Sequence, residues 1–351
     1  MKTRSRMRER YRRLSFLTDI GGMKNALGEM RGLFFPPQPV LNRDAAGHGP
    51  EGLPDEAWFV RAITDKVACH QDNAMEYPFY GERIFTEPLV GFVRGDDPIF
   101  ERFKEIIGPH HLTPREIMQW QAENSGVTPP DAADLSVVSF VMPLSGATRR
   151  DNAGTSKTVS ERWAQSRLIG EIFSQTMVRE IVTDLMEKGI LAVSPDVTPL
   201  FNKKRYPGVG WASPWSHRHI AYAAGLGTFG MHDFLITDRG CAHRLGSFVV
   251  NVRLSPDRQR PDDIHAHCLH YQGAECLICA RRCPVGAITR EHGHDKEACY
   301  RKVASSLRHC NASYHIFIYG CGLCATGVPC EAGIPRVSHP DGRAQDDARG
   351  G

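Results

Sequence analysis

The chain has 351 residues, of which 41% are hydrophobic and 24% charged, and its formal net charge is only +3. This composition is that of a folded globular protein, and it excludes a collagen, a wholly disordered chain and a membrane-spanning bundle. The small net charge gives the chain no strong electrostatic attraction to nucleic acid or to a membrane surface.

The two ends of the chain are predicted to lie outside its folded part. Residues 1–54 are interpreted as a basic arm with an irregular lead-in, and residues 336–351 as a disordered tail. Arg12 and Arg13 resemble the start of a twin-arginine export signal, but no apolar segment follows them. We therefore expect a reducing, cytoplasmic location and no membrane span.

Residues 55–258 are predicted to form one domain of mixed strands and helices, in the α+β class. Short β-branched runs predict strands at residues 137–143, 190–193 and 247–254. A helix is predicted from about residue 160 to 188, with Gly189 as its C-terminal stop. Its buried face is an i+4 ridge of Ile169, Phe173, Met177, Ile181 and Leu185.

A glycine motif follows this region and matches the dinucleotide-binding pattern in its letters. Gly225, Gly227 and Gly230 have the spacing G-x-G-x-x-G. That pattern requires a preceding strand and a following helix, whereas residues 216–224 favour a helical turn or loop. We therefore do not predict a nicotinamide site. A tight turn or a close approach to another cofactor also accounts for such glycines.

The cysteines are concentrated in the last third of the chain, where ten of the eleven follow residue 240. Cys276, Cys279 and Cys283 form a C-x2-C-x3-C-P run, which is typical of bacterial ferredoxins. Five further cysteines complete a set of eight, the number that two [4Fe–4S] clusters require; they are Cys268, Cys299, Cys321, Cys324 and Cys330.

Zinc and disulfides are the alternatives for these cysteines. A structural zinc site needs four ligands and does not call for the x3-C-P element, and a reducing compartment disfavours disulfides. Iron–sulfur clusters are therefore the favoured interpretation. Three cysteines remain as spare thiols, and they are Cys69, Cys241 and Cys310.

Residues 190–330 resemble the epoxyqueuosine reductases and the cobalamin-dependent reductive dehalogenases. The matching pieces include Asp196 to Pro199, Ala224 to Gly230, Arg244 to Gly246 and the cysteine motifs. The resemblance implies a nitroreductase-like corrinoid-binding α/β domain over residues 55–258. It implies a bacterial ferredoxin-like 2[4Fe–4S] domain over residues 259–335.

The ligation in these families implies two crossed sets of cysteines. One cluster would have Cys268, Cys276, Cys279 and Cys330, and the other Cys283, Cys299, Cys321 and Cys324. The chain departs from the family pattern at two places. Gly273 stands where the first motif has its leading cysteine, and five residues rather than three precede Cys330.

The resemblance also implies residues for the corrinoid chemistry. Asp196 matches the aspartate that serves as proton donor in epoxyqueuosine reductases, while Tyr206 and Tyr222 are rival donors by analogy with the dehalogenases. Corrinoid contacts are expected from Gly225, Leu226, Gly227, Gly230 and Arg244. His217 and His219 do not share a helix face, and only ordinary polar contacts are expected of them.

The sequence thus predicts a cobalamin- and iron–sulfur-dependent reductase that acts on a small organic substrate, by reductive dehalogenation or by reduction of an epoxide or a related group. An external low-potential donor, such as a ferredoxin, a flavodoxin or a reductase, would supply electrons. A nucleic-acid substrate is disfavoured, because about sixteen extra residues follow Pro199, in what should be the wall of the pocket. The alternatives are an electron-transfer protein without its own substrate and a corrinoid-processing protein.

Overall fold

The computed structural model describes residues 39–43, 53–202, 204–206 and 210–336. The basic arm and the tail predicted from the sequence therefore lie almost entirely outside the described residues. Helices in the described part are α1 Glu56–Cys69, α2 Ile99–Ile106, α3 Pro114–Ser125, α4 Gly146–Ala153, α5 Glu161–Glu187, α6 His217–Ala223, α7 Ile278–Arg282 and α8 Lys296–Tyr314.

The strands form one main sheet and three small hairpins. The main sheet has the order β1–β2–β8–β3, and each of its pairs is antiparallel. This arrangement confirms a fold of mixed helices and strands. The strands are β1 Leu89–Arg94, β2 Ser136–Pro143, β3 Ala192–Val193, β4 Lys204–Tyr206, β5 Gly210–Ala212, β6 Thr228–Phe229, β7 Leu235–Ile236, β8 His243–Val250, β9 Ile288–Thr289 and β10 Gly293–His294.

Strand β8 lies four residues earlier than the sequence predicts. All eight residues of β2 pair with it, from Ser136 opposite Val250 to Pro143 opposite His243. The sequence pattern did not predict the first half of this strand, because the residues there are polar and do not form a β-branched run. After Val250 the pairing with β2 ends, and the Asn251 N–H donates a hydrogen bond to the Leu191 carbonyl oxygen.

Helix α5 confirms the predicted helix within a residue at each end. Ser160 caps its first turn by accepting a hydrogen bond from the Trp163 N–H, and Gly189 follows its end at φ +77°. The predicted apolar ridge is buried throughout. Because the helix is long, it reaches from the cysteine-rich part of the chain at its start to Asp196 near its end.

Residues after 256 have a different character. Their strands are only two residues long, α7 has five residues, and several of the few buried apolar side chains are cysteines. Such a segment buries little apolar surface, so the hydrophobic effect contributes little to its folding. Within the described residues, no helix has the length and apolar character needed to cross a membrane.

Candidate redox and proton-transfer site

Four thiols meet where α7 approaches the β6–β7 hairpin. They line one narrow cavity together with His232, and we call them the first thiol group: Cys268, Cys276, Cys279 and Cys330. Burial, followed by the three neighbouring thiols, raises the pKa of Cys279 to about 12. This set is the one that the resemblance implies for one cluster, including the two positions that depart from the family pattern.

The other four thiols also interact with one another, and we call them the second thiol group: Cys283, Cys299, Cys321 and Cys324. Burial, followed by the nearby thiols, raises the pKa of Cys324 well above its usual value. Asn152 on α4 donates to the Cys321 carbonyl at 3.2 Å, and Arg282 donates to the Leu323 carbonyl at 2.8 Å. These bonds fix the loop that carries two of the four thiols.

The two groups suit iron–sulfur clusters in their chemistry. A thiolate is the form that binds iron, yet burial and like charges both oppose ionisation of Cys279 and Cys324. A cationic metal centre within each group compensates that repulsion, whereas four closely spaced thiolates alone would be unstable. The free thiols of each group are therefore arranged for a metal centre.

Cys330 has two further neighbours that the cysteine spacing does not reveal. His232 Nε2 lies 3.4 Å from Cys330 Sγ, and Cys241 Sγ lies 3.7 Å from it. The Phe234 N–H donates to His232 Nδ1 at 3.1 Å, so a neutral ring has its proton on Nε2 and donates it to Cys330. These contacts lower the pKa of Cys330, with the Cys241 hydrogen bond as the largest cause.

Asp196 lies in the 3-10 turn Pro195–Val197, at the other end of α5 from the second thiol group. Its carboxylate accepts a hydrogen bond from the Ser194 hydroxyl, and its Oδ2 lies 3.4 Å from His217 Nε2. Arg179 on α5 interacts electrostatically with the same carboxylate. The sequence analysis expected only ordinary polar contacts of His217 and did not predict that it lies beside Asp196, because His217 belongs to the extra segment after Pro199.

A chain of hydrogen bonds holds His217 in place. Trp215 Nε1–H donates to Ser247 Oγ at 2.8 Å, and His217 Nδ1 lies 2.9 Å from the same oxygen. The other ring nitrogen, Nε2, faces Asp196. Ser247 belongs to β8, and the main sheet therefore holds this histidine in place.

Tyr206 and Tyr222, the rival candidates for proton donor, contact residues other than Asp196 and His217. Tyr222 donates its hydroxyl hydrogen to the Pro261 carbonyl at 2.9 Å. Tyr206 stacks on His110 with a centroid separation of 3.5 Å. Burial raises the pKa of both phenols.

The glycine segment follows α6 and leads into β6, so it lacks the preceding strand and the following helix of a dinucleotide site. Each glycine is packed against protein. A Cβ on Gly227 would lie 2.3 Å from the Ile236 carbonyl oxygen, and one on Gly230 would lie 2.5 Å from the His232 ring. On Gly225 it would lie 2.9 Å from Arg258. Close packing within the chain accounts for the three glycines, while Leu226 is buried in the core.

A row of half-buried polar side chains runs along α5. Arg167, Glu171, Gln175 and Arg179 follow one another at i+4 spacing. Arg244 on β8 lies beside this row, 3.6 Å from Glu171, and burial followed by the charge of Arg167 lowers the pKa of Arg244 to about 9. These guanidinium groups can donate hydrogen bonds to the amides and phosphate of a large polar cofactor.

Comparison with known proteins confirms the resemblance to epoxyqueuosine reductases over part of the chain. The enzyme of that name from Staphylococcus aureus is 28% identical over 124 residues, which are 34% of this chain and 30% of that protein. The one from Bacillus anthracis is 28% identical over 131 residues, 36% of this chain and 32% of that protein. The match thus spans about a third of these relatives. No family model matches.

Two kinds of solved structure are also similar to the chain. A catabolic reductive dehalogenase aligns with a TM-score of 0.48 at 16% identity, over 88% of this chain and 36% of that one. An epoxyqueuosine reductase from Streptococcus thermophilus aligns with a TM-score of 0.39 at 13% identity, over 82% of this chain and 69% of that one.

Proposed function

We propose that the chain is an oxidoreductase in which two [4Fe–4S] clusters deliver electrons to a corrinoid, which reduces an organic substrate. The observation that carries this proposal is the presence of two groups of four mutually interacting thiols. The partial match to epoxyqueuosine reductases supports the reductase chemistry. Reductive dehalogenation and reduction of an epoxide or a related group are the two candidate reactions.

The first and second thiol groups would each hold one cluster, and the bound clusters would supply one-electron transfer. The surrounding residues keep the thiols in place, as the hydrogen bonds to the Cys321 and Leu323 carbonyls show for the second group. Residues 259–335 would then form a ferredoxin-like domain, behind a nitroreductase-like domain of residues 55–258. An external low-potential electron donor would reduce the clusters again after each turnover.

The polar row on α5, together with Arg244, is the part of the chain whose chemistry fits a corrinoid. The bound corrinoid would supply a low-valent cobalt able to reduce the substrate. Gly225, Leu226, Gly227 and Gly230 would shape this region indirectly, through the packing of the loop on His232 and Ile236.

Asp196 is the proposed proton donor, and His217 is the residue that positions it. A carboxyl group can release its proton to the substrate and regain one from water between turnovers. Tyr206 and Tyr222 remain rival donors. The hydrogen bond of Tyr222 to a backbone carbonyl disfavours it in that role.

The proposal is tested on protein reconstituted anaerobically with iron, sulfide and cobalamin. We expect about eight irons per chain and about one bound corrinoid. An epoxyqueuosine-modified tRNA stem loop and 3-bromo-4-hydroxybenzoic acid are the two substrates to offer, because similar solved structures are complexes with these molecules. Consumption of one of them under reducing conditions supports the proposal.

Each alternative has its own signature in the same experiment. About eight irons with no corrinoid uptake would indicate an electron-transfer protein, and a flavin spectrum would identify a different cofactor. Corrinoid that is bound and then released or dealkylated, with no substrate consumed, would indicate a corrinoid-processing protein. Zinc in place of iron would overturn the redox proposal altogether.

A further inference from the structure

A cavity of about 320 Å³ opens beside the second thiol group, at the start of α5. Its walls are the segment before α5, one side of α8 and the backbone that leads into Cys321. Cys321 itself lines the cavity, so this opening brings solvent to the second thiol group. No part of the proposed proton-transfer site contributes to its lining.

The ionisable side chains that line this cavity, other than Cys321, are all basic. Lys302, Arg308 and His309 line it, and its other polar side chains are the hydroxyls of serines and a threonine. No carboxylate lines it, and among the described residues neither Lys302 nor Arg308 has an acidic partner within ion-pair distance. Two cations thus face solvent beside a thiol that is a proposed cluster ligand.

Exposed aromatic side chains continue the same surface. Phe317 and Tyr319 are 39% and 43% exposed, and they directly precede the Gly320 and Cys321 that line the cavity. Surfaces that combine aromatic residues with arginine are typical of protein interfaces. Tyr319 also contacts Arg167 of the polar row, whose guanidinium carbon lies 5.7 Å from the ring centroid. We therefore call only Lys302, Arg308 and Phe317 the α8 face.

The α8 face is far from the place where the substrate is expected to react. From Glu161 to Arg179, α5 extends for about 27 Å at 1.5 Å per residue. Arg179 interacts with Asp196, whereas the cavity lies at the start of the helix. The position therefore suits entry of electrons and not binding of the substrate.

We propose that the α8 face docks an acidic electron-donor protein, whose carboxylates contact Lys302 and Arg308. This inference rests on the proposed function, because it requires a cluster in the second thiol group. Each docking event transfers one electron: the donor is oxidised by one electron and the cluster is reduced by one, and no bond is made or broken. Opposite charges on the two surfaces raise the rate of encounter.

A nucleic acid is the other macromolecule that basic residues attract. The α8 face favours a protein donor, because it offers two cations beside a redox centre and not the row of phosphate contacts that nucleic-acid affinity requires. Binding of an unmodified tRNA stem loop to the same variants distinguishes an RNA ligand from a protein donor.

The test measures how fast a photoreduced acidic flavodoxin reduces the reconstituted protein, followed by the bleaching of the visible cluster absorbance. The charge reversal Lys302→Glu with Arg308→Glu is compared with Arg61→Glu and Arg115→Glu, two exposed arginines on α1 and α3. Both double variants change the net charge equally. Lys302→Gln with Arg308→Gln is the milder pair, in case reversal prevents folding.

We expect reversal at the α8 face to slow reduction by flavodoxin about tenfold or more at low salt and to weaken its salt dependence. The control pair should slow it far less. Reduced methyl viologen, a small cation that needs no docking surface, should reduce every variant at an undiminished rate. Iron content is measured first for each protein.

Three results would overturn this inference while leaving the proposed function intact. Equal slowing in the control pair would show that net charge alone matters. Equal slowing with methyl viologen would show that the substitutions damage the cluster itself. Loss of binding to an unmodified tRNA stem loop, with the flavodoxin rate unchanged, would make the α8 face an RNA site. A chain that takes up no iron at all would overturn the proposed function first, and this inference with it.

Discussion

At the scale of single residues, the Asp196–His217 pair combines an acid with a device that orients it. Ser247 and Trp215 hold the imidazole on its Nδ1 side, and the Ser194 hydroxyl donates to one carboxylate oxygen of Asp196. The pair is thus fixed before any substrate arrives. This preorganisation is what a proton donor needs, because a misplaced acid contributes little to catalysis.

We expect Asp196→Asn to lower turnover of the accepted substrate by about 10²- to 10⁴-fold, since an amide cannot release a proton. Iron and corrinoid content should stay unchanged. His217→Gln should cause a smaller loss, because the carboxyl group loses the side chain that positions it. Asp184→Asn, at an exposed position on α5, is the matched control. Full activity of Asp196→Asn would transfer the role to a tyrosine.

His232 gives a second prediction at this scale. An N–H donor to a ligand sulfur stabilises the more negative, reduced form of a cluster, so its removal should lower the reduction potential. For His232→Phe we expect the midpoint potential of one cluster to fall by about 50 mV, from a hydrogen bond of about 1 kcal/mol. A redox titration followed by electron paramagnetic resonance measures it.

The control is His292→Phe, which removes an exposed histidine on a turn. His232→Gln, which can still donate an N–H, should restore part of the loss. Unchanged potentials in His232→Phe, at full iron content, would show that this ring only fills space beside Cys330.

The residue scale also separates what sequence can predict from what it cannot. Local spacing predicted five of the eight cysteines, because Cys276, Cys279 and Cys283, like Cys321 and Cys324, are three or four residues apart. His232 and Cys241 approach Cys330 from positions 98 and 89 residues away in the chain. Such neighbours result from how β7 and β8 pack on the cysteine-rich segment, and no spacing rule encodes that.

At the scale of elements, the contact of α5 with the second thiol group depends on one glycine. Gly322 has φ +68°, and a Cβ there would lie 1.9 Å from the Trp163 ring. Gly322→Ala should therefore displace the loop that carries Cys321 and Cys324, and the protein should lose about half of its iron. Iron analysis and the cluster spectrum measure this loss.

Gly286→Ala is a strict control for this prediction. Gly286 also has a positive φ, +61°, but a Cβ there would meet nothing within 4 Å. It therefore introduces the same kind of backbone strain without the overlap. Equal iron loss in the two variants would mean that strain alone, and not the contact with Trp163, governs cluster assembly.

Helix α6 depends on a neutral histidine at its start. The Ser216 N–H donates to His111 Nε2 at 3.1 Å, and burial, followed by the charge of His110, lowers the pKa of His111 to about 4. The unfolded chain binds this proton near pH 6.5, so the free energy of unfolding decreases as the pH falls below that value. The contribution is fully present above about pH 6.5.

Between pH 7.5 and 5.5 we expect the protonation of His111 to cost about 1 kcal/mol of stability. His111→Gln, which keeps an acceptor but does not titrate, should unfold with a shallower pH dependence in anaerobic urea titrations. His315→Asn, at an exposed position with φ +56°, should keep the slope of the unchanged protein. An unaltered slope in His111→Gln would assign the acid sensitivity to other groups.

The elements also show where periodicity is informative. The i+4 ridge predicted α5 almost to the residue, because a long amphipathic helix repeats its signal many times. The start of β8 was missed because His243, Arg244 and Gly246 have side chains that a strand propensity does not favour. Their pairing with β2 is decided by the register of the whole sheet.

At the scale of the whole molecule, the two parts of the chain differ in how they are stabilised. The part before residue 257 contains the main sheet and most of the buried apolar side chains. The part after it has, apart from α8, only short elements, together with two groups of thiols that a metal centre would link. Folding of the second part should therefore be coupled to metal binding.

Removal of iron by a chelator under oxidising conditions should expose residues 259–335 to limited proteolysis, while a fragment covering residues 55–258 persists. The loss of ligation removes the interactions that offset the entropy of ordering this segment. Mass spectrometry of the fragments over time measures the effect, and the reconstituted protein is the control. A uniform digestion of both parts would show that they fold as one unit, and an unchanged digestion pattern would show that α8 and its contacts suffice to hold the second part without iron.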